Sequence, residues 1–389
     1  MLLERQQLTR PKRILSIDGG GIRGVIAAKV LLKIEKILCR PETPWNCLAD
    51  YFDFMGGTST GSILAAALAR GMKVQDVLSL YLDYGREIFT ENWFLKQFWS
   101  KYSSRPLEKK LKEIFGEGLL GSEDLKTLLM IVTKNATTSH NWFFVNSPNN
   151  KFYPINRDIP LWQLIRASTA APTFFPPQTI SINNQSYDFI DGGMSMFNNP
   201  TFQLFLEATK AQYGIGWETG QDKLLLVSVG TGFSSNVIPP GRAKNYHLID
   251  WAKYSISTLM EDANVQQNFL MSLIGNSPDE LRSQMSRELA SLSIPTFKEL
   301  PELASAAWVG LDSDRSSYLS NLLSYHRYTV VFSHNRFAEL GLSHIDPKKV
   351  AAMDCVDEIP ALLEIGTAIA QEQVRAEDFD NFLHADSES

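Results

Sequence analysis

Phe52-Asp53-Phe54-Met55-Gly56-Gly57-Thr58-Ser59-Thr60-Gly61-Ser62-Ile63-Leu64-Ala65-Ala66-Ala67 decides the reading of this 389-residue chain. Phe52 to Met55 is short, aromatic and apolar, the pattern of a buried strand. Ser62 to Ala69 is rich in Ala and Leu and reads as a helix, with Gly71 just past its end. Gly57-Thr58-Ser59-Thr60-Gly61 joins the two and fits G-x-S-x-G, the spacing of a nucleophile elbow. So sharp a strand-to-helix turn leaves no room for side chains at its flanks, and both flanks are Gly. The central Ser is pushed outward at a helix N-terminus, where free N–H groups can steady a developing oxyanion. Taken alone, the pentapeptide fits equally a turn whose Ser merely caps the helix.

Upstream, Arg13 to Ile17 reads as the first strand and runs into Asp18-Gly19-Gly20-Gly21-Ile22-Arg23-Gly24. The next helix carries Ile26, Val30, Ile34 and Ile37 on one face. Glycines between a strand and a helix bring bare backbone N–H groups close to an anion. That geometry serves an oxyanion hole, or a dinucleotide, because Gly19, Gly21 and Gly24 fit G-x-G-x-x-G. A dinucleotide site also wants a second strand ending in an acid about 20 residues on. The chain offers the loop Cys39 to Asn46 instead, and the next strand carries Ser59. An oxyanion loop beside the nucleophile is the better account. Downstream, Tyr187 to Ile190 reads as a short strand delivering Asp191-Gly192-Gly193. An acid at a strand end followed by glycines is free to face a pocket, although an Asx-turn alone would explain it.

The remaining pattern alternates strands and helices. Helices are expected over Val74–Phe89, Trp162–Ala171, Glu280–Ser293 and Ile359–Gln373. Strands are expected over Thr127–Thr133, Trp142–Val145, Lys223–Gly230 and Tyr328–Phe332. Trp93 to Tyr102 interleaves aromatics with Lys, which suits a helix packed on the core or a lid that touches lipid. After residue 240 the pattern becomes mostly helical. The net charge of −6 argues against nonspecific nucleic-acid binding through a basic face. Cys39, Cys47 and Cys355 lack metal-ligand spacing and read as reduced thiols of a cytosolic protein. Met1 to Leu8 has no apolar signal-peptide core. No run of roughly 18 apolar residues occurs, so any membrane contact is expected to be peripheral.

Asp18-Gly-Gly-Gly-Ile-Arg-Gly24, Gly57-Thr-Ser-Thr-Gly61 and Asp191-Gly-Gly193, in this order, resemble the motifs of the patatin-like phospholipases. Arg166-Ala-Ser-Thr-Ala-Ala-Pro172 and Asn198-Asn-Pro200 are similar to that family too. Ser62 departs from it, since many members carry another Gly there. The resemblance implies an α/β fold: a three-layer sandwich with a mainly parallel central sheet between helices. Residues 1–240 would form the catalytic core, and 241–389 a mostly helical region that completes or regulates it. It implies a phospholipid acyl hydrolase with a Ser-Asp dyad, without metal or cofactor. Ser59 would be the nucleophile and Asp191 its base. Gly19, Gly20, Gly21 and Arg23 would form or hold the oxyanion hole, with Gly57, Gly61, Gly192 and Gly193 shaping the turns. A free Asp is a weak base at neutral pH, so partial desolvation near Phe174 and Phe175 is expected to strengthen it.

The C-terminal part, around Met353–Ile359 and Leu362–Gly366, resembles bacterial antiphage effectors of this family. That likeness implies activation by a cyclic di- or trinucleotide, a cytoplasmic location and peripheral action on phospholipid of the inner membrane, with no DNA or RNA duplex as partner. Three alternatives stand beside it: a non-enzymatic nucleotide binder using Gly19 to Gly24, a storage or structural protein, and an esterase whose Ser59, Asp191 and His334 form a triad in the α/β-hydrolase order.

Overall fold

The computed structural model describes residues 2–88, 102–172, 174–234, 238–281 and 321–383. The helices over Trp93–Tyr102 and Glu280–Ser293 expected from sequence lie almost wholly outside these residues. Among the described residues the strands are β1 (Lys12–Ile17), β2 (Phe54–Thr58), β3 (Leu128–Asn135), β4 (His140–Val145), β5 (Gln178–Ile182), β6 (Gln185–Asp191), β7 (Gly220–Val229), β8 (Gly275–Asn276) and β9 (Leu323–Tyr328). They form one sheet in the order β5-β6-β3-β2-β1-β7-β9-β8, with β4 also paired to β3. Pairing is parallel from β3 through β2, β1, β7 and β9 to β8, and antiparallel for β4, β5 and β6.

The central strands are buried on both faces. Leu15, Ile17, Met55, Leu129, Leu225 and Val227 point into one apolar cluster, and their neighbours Ile14, Phe54, Leu128, Leu224 and Leu226 into another. This two-residue alternation between two cores explains why the strands read as continuous apolar runs. Helices α1 (Leu2–Gln7), α2 (Gly24–Leu38), α3 (Leu48–Tyr51), α4 (Thr60–Ala69), α5 (Val74–Ile88), α6 (Arg105–Phe115), α7 (Tyr153–Asn156), α8 (Leu161–Ser168), α9 (Thr201–Thr209) and α10 (Leu248–Ile274) precede the last strand. The chain then adds α11 (His334–Glu339), α12 (Pro347–Val350) and α13 (Ile359–Gln373). The first cluster contains residues of α2, α4, α5, α6, α8 and α13, and the second contains residues of α9 and α10. The result is the expected sandwich of three layers.

Two strand expectations need correction. The late strand is Leu323–Tyr328, ahead of the apolar Tyr328–Phe332. Its His326 and Arg327 look unsuited to a core, yet both are buried because Arg327 has an ionic partner and His326 is held neutral by burial. Strand β5 went unread. It pairs with β6 through Asn183-Asn184, at φ 50 and 62, a turn that only residues tolerant of left-handed backbone can make. The region beyond residue 240 is also less separate than its helical pattern suggests. It supplies β8 and β9 to the same sheet, and α13 packs on α2.

Candidate active site

Strand β2 ends at Thr58 and α4 begins at Thr60, leaving Ser59 alone in the turn at φ 53 and ψ −126. For a residue with a side chain this is strained by about 1–3 kcal/mol, so its surroundings must hold it there. Two glycines permit the crossing: a Cβ on Gly57 would lie 2.1 Å from Gly61 O, and one on Gly61 would lie 2.3 Å from Ile17 O. Ser59 N–H donates to Ser168 Oγ at 2.9 Å, and that hydroxyl donates to Val132 O at 2.6 Å. Ser62 N–H and Oγ both donate to Ser59 O, at 2.9 and 2.6 Å. Ser62, the departure from the family's glycine, thus fastens the turn that precedes it.

Strand register brings Asp191 to Ser59. Along β3, Val132 pairs with Thr58 of β2, and the next residue, Thr133, pairs with Asp191 of β6. Both strands use the same edge of β3, because β4 runs along the other edge through both positions. Where β2 leaves, β6 arrives, and the two loops meet there. Asp191 Oδ2 accepts from Ser59 Oγ at 2.6 Å, and Oδ1 accepts from Gly193 N–H at 2.7 Å. Asp191 is 5% exposed. Burial pushes it up from 3.8 to about 6, against the Ser59 hydroxyl, the Gly193 amide and the Arg166 charge, which pull it down. Gly192 lies against β3, since a Cβ there would meet Val132 O at 2.5 Å.

The glycine loop closes the third side. Asp18 is buried against Arg327 of β9, in paired contacts of 3.0 and 2.5 Å. Gly19 N–H donates to Asn198 O at 3.0 Å, and Gly19 O accepts from Thr231 Oγ1 at 2.6 Å. Its amide is therefore spent, which narrows the expected oxyanion set. Among the described residues the Gly20 and Gly21 amides donate to no partner, and both residues line the cleft with Ser59 and Asp191. Gly21 sits at φ 60 with its Cα against Met353 O, and Ile22 N–H donates to that carbonyl at 2.8 Å. Arg23 holds the loop from the side through Gly20 O at 3.4 Å and Ala351 O at 3.3 Å.

These groups open into a cleft of about 750 Å³, large enough for a lipid chain. Phe174 and Phe175 line it, as the sequence suggested, together with Ile63, Leu107 and Leu111. Asp191 touches Ser59 directly, so no imidazole stands between them, and the described cleft residues include no histidine. His334 begins α11 and is not among them. Sequence reading missed Ser168, Thr231, Arg327 and the α10 residues Met260, Glu261 and Asn264, which reach the site only through the fold. Only Ser168 carried a signal, lying inside the Arg166–Pro172 stretch.

The model of the patatin-like phospholipase family matches residues 15–205, a span holding Ser59, Asp191 and the glycine loop. A cGAMP-activated phospholipase of Escherichia coli is 29% identical over 272 residues, covering 67% of this chain and 75% of that protein. A cGAMP-activated phospholipase of Vibrio cholerae is 29% identical over 354 residues, covering 86% and 95%. Patatin-01 of Solanum tuberosum is 27% identical over 372 residues, covering 80% and 92%. The chain is a lipid acyl hydrolase, and its residues 15–205 match the patatin-like phospholipase family.

Proposed function

We propose that the protein hydrolyses fatty-acyl esters of membrane glycerophospholipids, with Ser59 as nucleophile and Asp191 as general base. The observation that carries this is the 2.6 Å contact of the Ser59 hydroxyl with a buried carboxylate, at a strained turn inside an apolar cleft. Asp191 Oδ2 takes the Ser59 proton as Oγ attacks the ester carbonyl carbon. The carbonyl oxygen becomes an oxyanion held by the Gly20 and Gly21 amides, which are placed before the charge arrives. Collapse breaks the ester bond, and the departing alcohol takes the proton back from Asp191. A water then gives its proton to Asp191 and attacks the acyl carbon, releasing the fatty acid and restoring Ser59. Gly193 N–H keeps Asp191 oriented throughout. Arg23 acts on the loop rather than on the oxyanion, because two of its nitrogens are bonded to Gly20 O and Ala351 O.

No helix among the described residues is long and apolar enough to cross a membrane. The proposed substrate is phospholipid met from the surface, at the cytoplasmic face of the inner membrane. The names of the bacterial relatives favour activation by a cyclic di- or trinucleotide. Purified protein assayed on labelled phospholipid, with and without a panel of such nucleotides, tests both statements. Hydrolysis that appears only with one nucleotide, and that Ser59→Ala abolishes, is expected. Full activity without any of them removes the regulated reading, and undiminished activity in Ser59→Ala removes the nucleophile.

A further inference from the structure

Helix α10 turns apolar side chains in two directions. Its Ile256 and Met260 line the cleft with Ser59 and Asp191. Its Leu248, Trp251 and Leu259 are instead 85%, 40% and 69% exposed. With the exposed Ser255 these residues are spaced i, i+3, i+7 and i+11, which places them in one row along the helix. Ile256 comes eight residues after Leu248, and Met260 directly follows Leu259. At 3.6 residues per turn each cleft residue therefore stands about a quarter turn round from the exposed row. The exposed row and the cleft wall are neighbouring faces of one helix, so the row borders the mouth of the cleft. Tyr246 and Tyr254 flank Trp251, with ring centroids 5.4 and 5.7 Å away. Just ahead of the helix, Arg242 and Lys244 are exposed and make no ion pair among the described residues. Asp250 lies on the far side of the helix from Leu248 and accepts from His247 N–H at 3.0 Å. Asp262 comes after Leu259, where the apolar row has ended.

We propose that residues 248–259 of α10 seat the protein on a phospholipid bilayer, with Leu248, Trp251 and Leu259 in its interfacial layer and Arg242 and Lys244 against anionic lipid phosphates. The inference rests on the phospholipid substrate proposed above and adds the surface through which that substrate is met. Three features select a bilayer over a second copy of the chain. The row is continuous with the cleft wall, so whatever covers it also meets the mouth through which an acyl chain must enter. A Trp beside two Tyr suits the boundary between head groups and chains, where a ring is buried and its polar edge stays wet. Cations without ion-pair partners beside exposed apolar side chains complement an anionic membrane, in a chain whose net charge of −6 gives no general attraction to one. Docked in this way, the cleft opens onto the lipid layer, and an acyl chain passes from bilayer to cleft with little exposure to water.

Flotation of the full chain with vesicles of ether-linked phosphatidylethanolamine and phosphatidylglycerol, which no esterase consumes, measures the docking. It is run with and without the cyclic nucleotides. Leu248→Glu combined with Leu259→Glu should weaken vesicle binding about tenfold or more and slow cleavage of ester phospholipid in vesicles to match. Hydrolysis of soluble p-nitrophenyl butyrate by that variant should stay within about twofold of the wild type, because neither leucine lines the cleft. Arg242→Glu combined with Lys244→Glu should weaken binding about tenfold on vesicles containing phosphatidylglycerol and little on vesicles without it. Phe152→Glu, at another exposed ring outside the cleft, should change none of these. A wild type that ignores the vesicles, or a leucine double variant that binds them as well as the wild type, overturns the proposal. So does loss of soluble-ester turnover in that variant, which makes the row part of the fold. A change of its oligomeric state in gel filtration overturns it too, because the row is then a contact between copies. A wild type that binds vesicles yet hydrolyses no ester lipid in them contradicts the substrate reading instead.

Discussion

Asp191 is a carboxylate made more basic at a cost to the fold. Its value near 6 lies above the 3.8 of an exposed Asp, so folding favours the protonated form. The stability tied to this group is full below about pH 4 and is lost as pH rises through 6, amounting to about 3 kcal/mol at pH 8. The base proposed for Ser59 must carry the opposite form, so on that proposal kcat/KM should climb through about pH 6 and level off above it. Asp191→Asn should thus abolish turnover while raising the melting temperature at pH 8 and changing it little near pH 4. Calorimetry at the two pH values checks this, and an equal shift at both would contradict the assigned cause. Stability surrendered at a site for the sake of chemistry is a common trade.

At the scale of elements, the glycine loop depends on a strand far away in sequence. Asp18 is buried, and the Arg327 guanidinium on β9 is the main offset to the cost of its desolvation. Arg327→Met should destabilise the fold by about 3–5 kcal/mol, because it leaves a buried carboxylate without its paired cation. Adding Asp18→Asn to that variant should recover part of the loss. Denaturant titration of the single and double variants measures the coupling, and additive effects would contradict a direct pairing. The same pair marks the limit of what could be read beforehand. The elbow, the glycine loop and the Asp-Gly-Gly corner could be read only together, because each alone fits an ordinary turn and their order resembles one family. Strand β9 could not, since Arg327 and His326 look like surface residues until their surroundings are known. Ser168 lay inside a stretch that resembled the family, but its role did not show, because it depends on where Val132 falls in the register.

For the molecule as a whole, the change of pattern near residue 240 does not mark the end of a folding unit. Strands β8 and β9 extend the sheet beyond β7, α13 packs on α2, and Met353 O and Ala351 O hold the glycine loop. A chain cut to residues 1–240 would expose the edge of β7 and strand the Asp18 charge. It should fail to unfold cooperatively and should hydrolyse no ester, as circular dichroism and a p-nitrophenyl butyrate assay would report. A folded, active fragment would show that the C-terminal part is an appendage. The site and the sheet are in this sense one object: the cleft lies where the strands end, and both halves of the chain build its walls.

The most direct measurement is where the protein is phosphonylated by a serine-reactive probe. A fluorophosphonate ester reacts only with an activated serine, and its adduct can be located by mass spectrometry of the digested protein. Stoichiometric modification of Ser59 is expected, far slower in Asp191→Asn and absent in Ser59→Ala. Labelling of a different residue, or unaltered labelling of Ser59 once Asp191 is neutralised, would contradict the Ser59–Asp191 pair as the chemical centre of the enzyme.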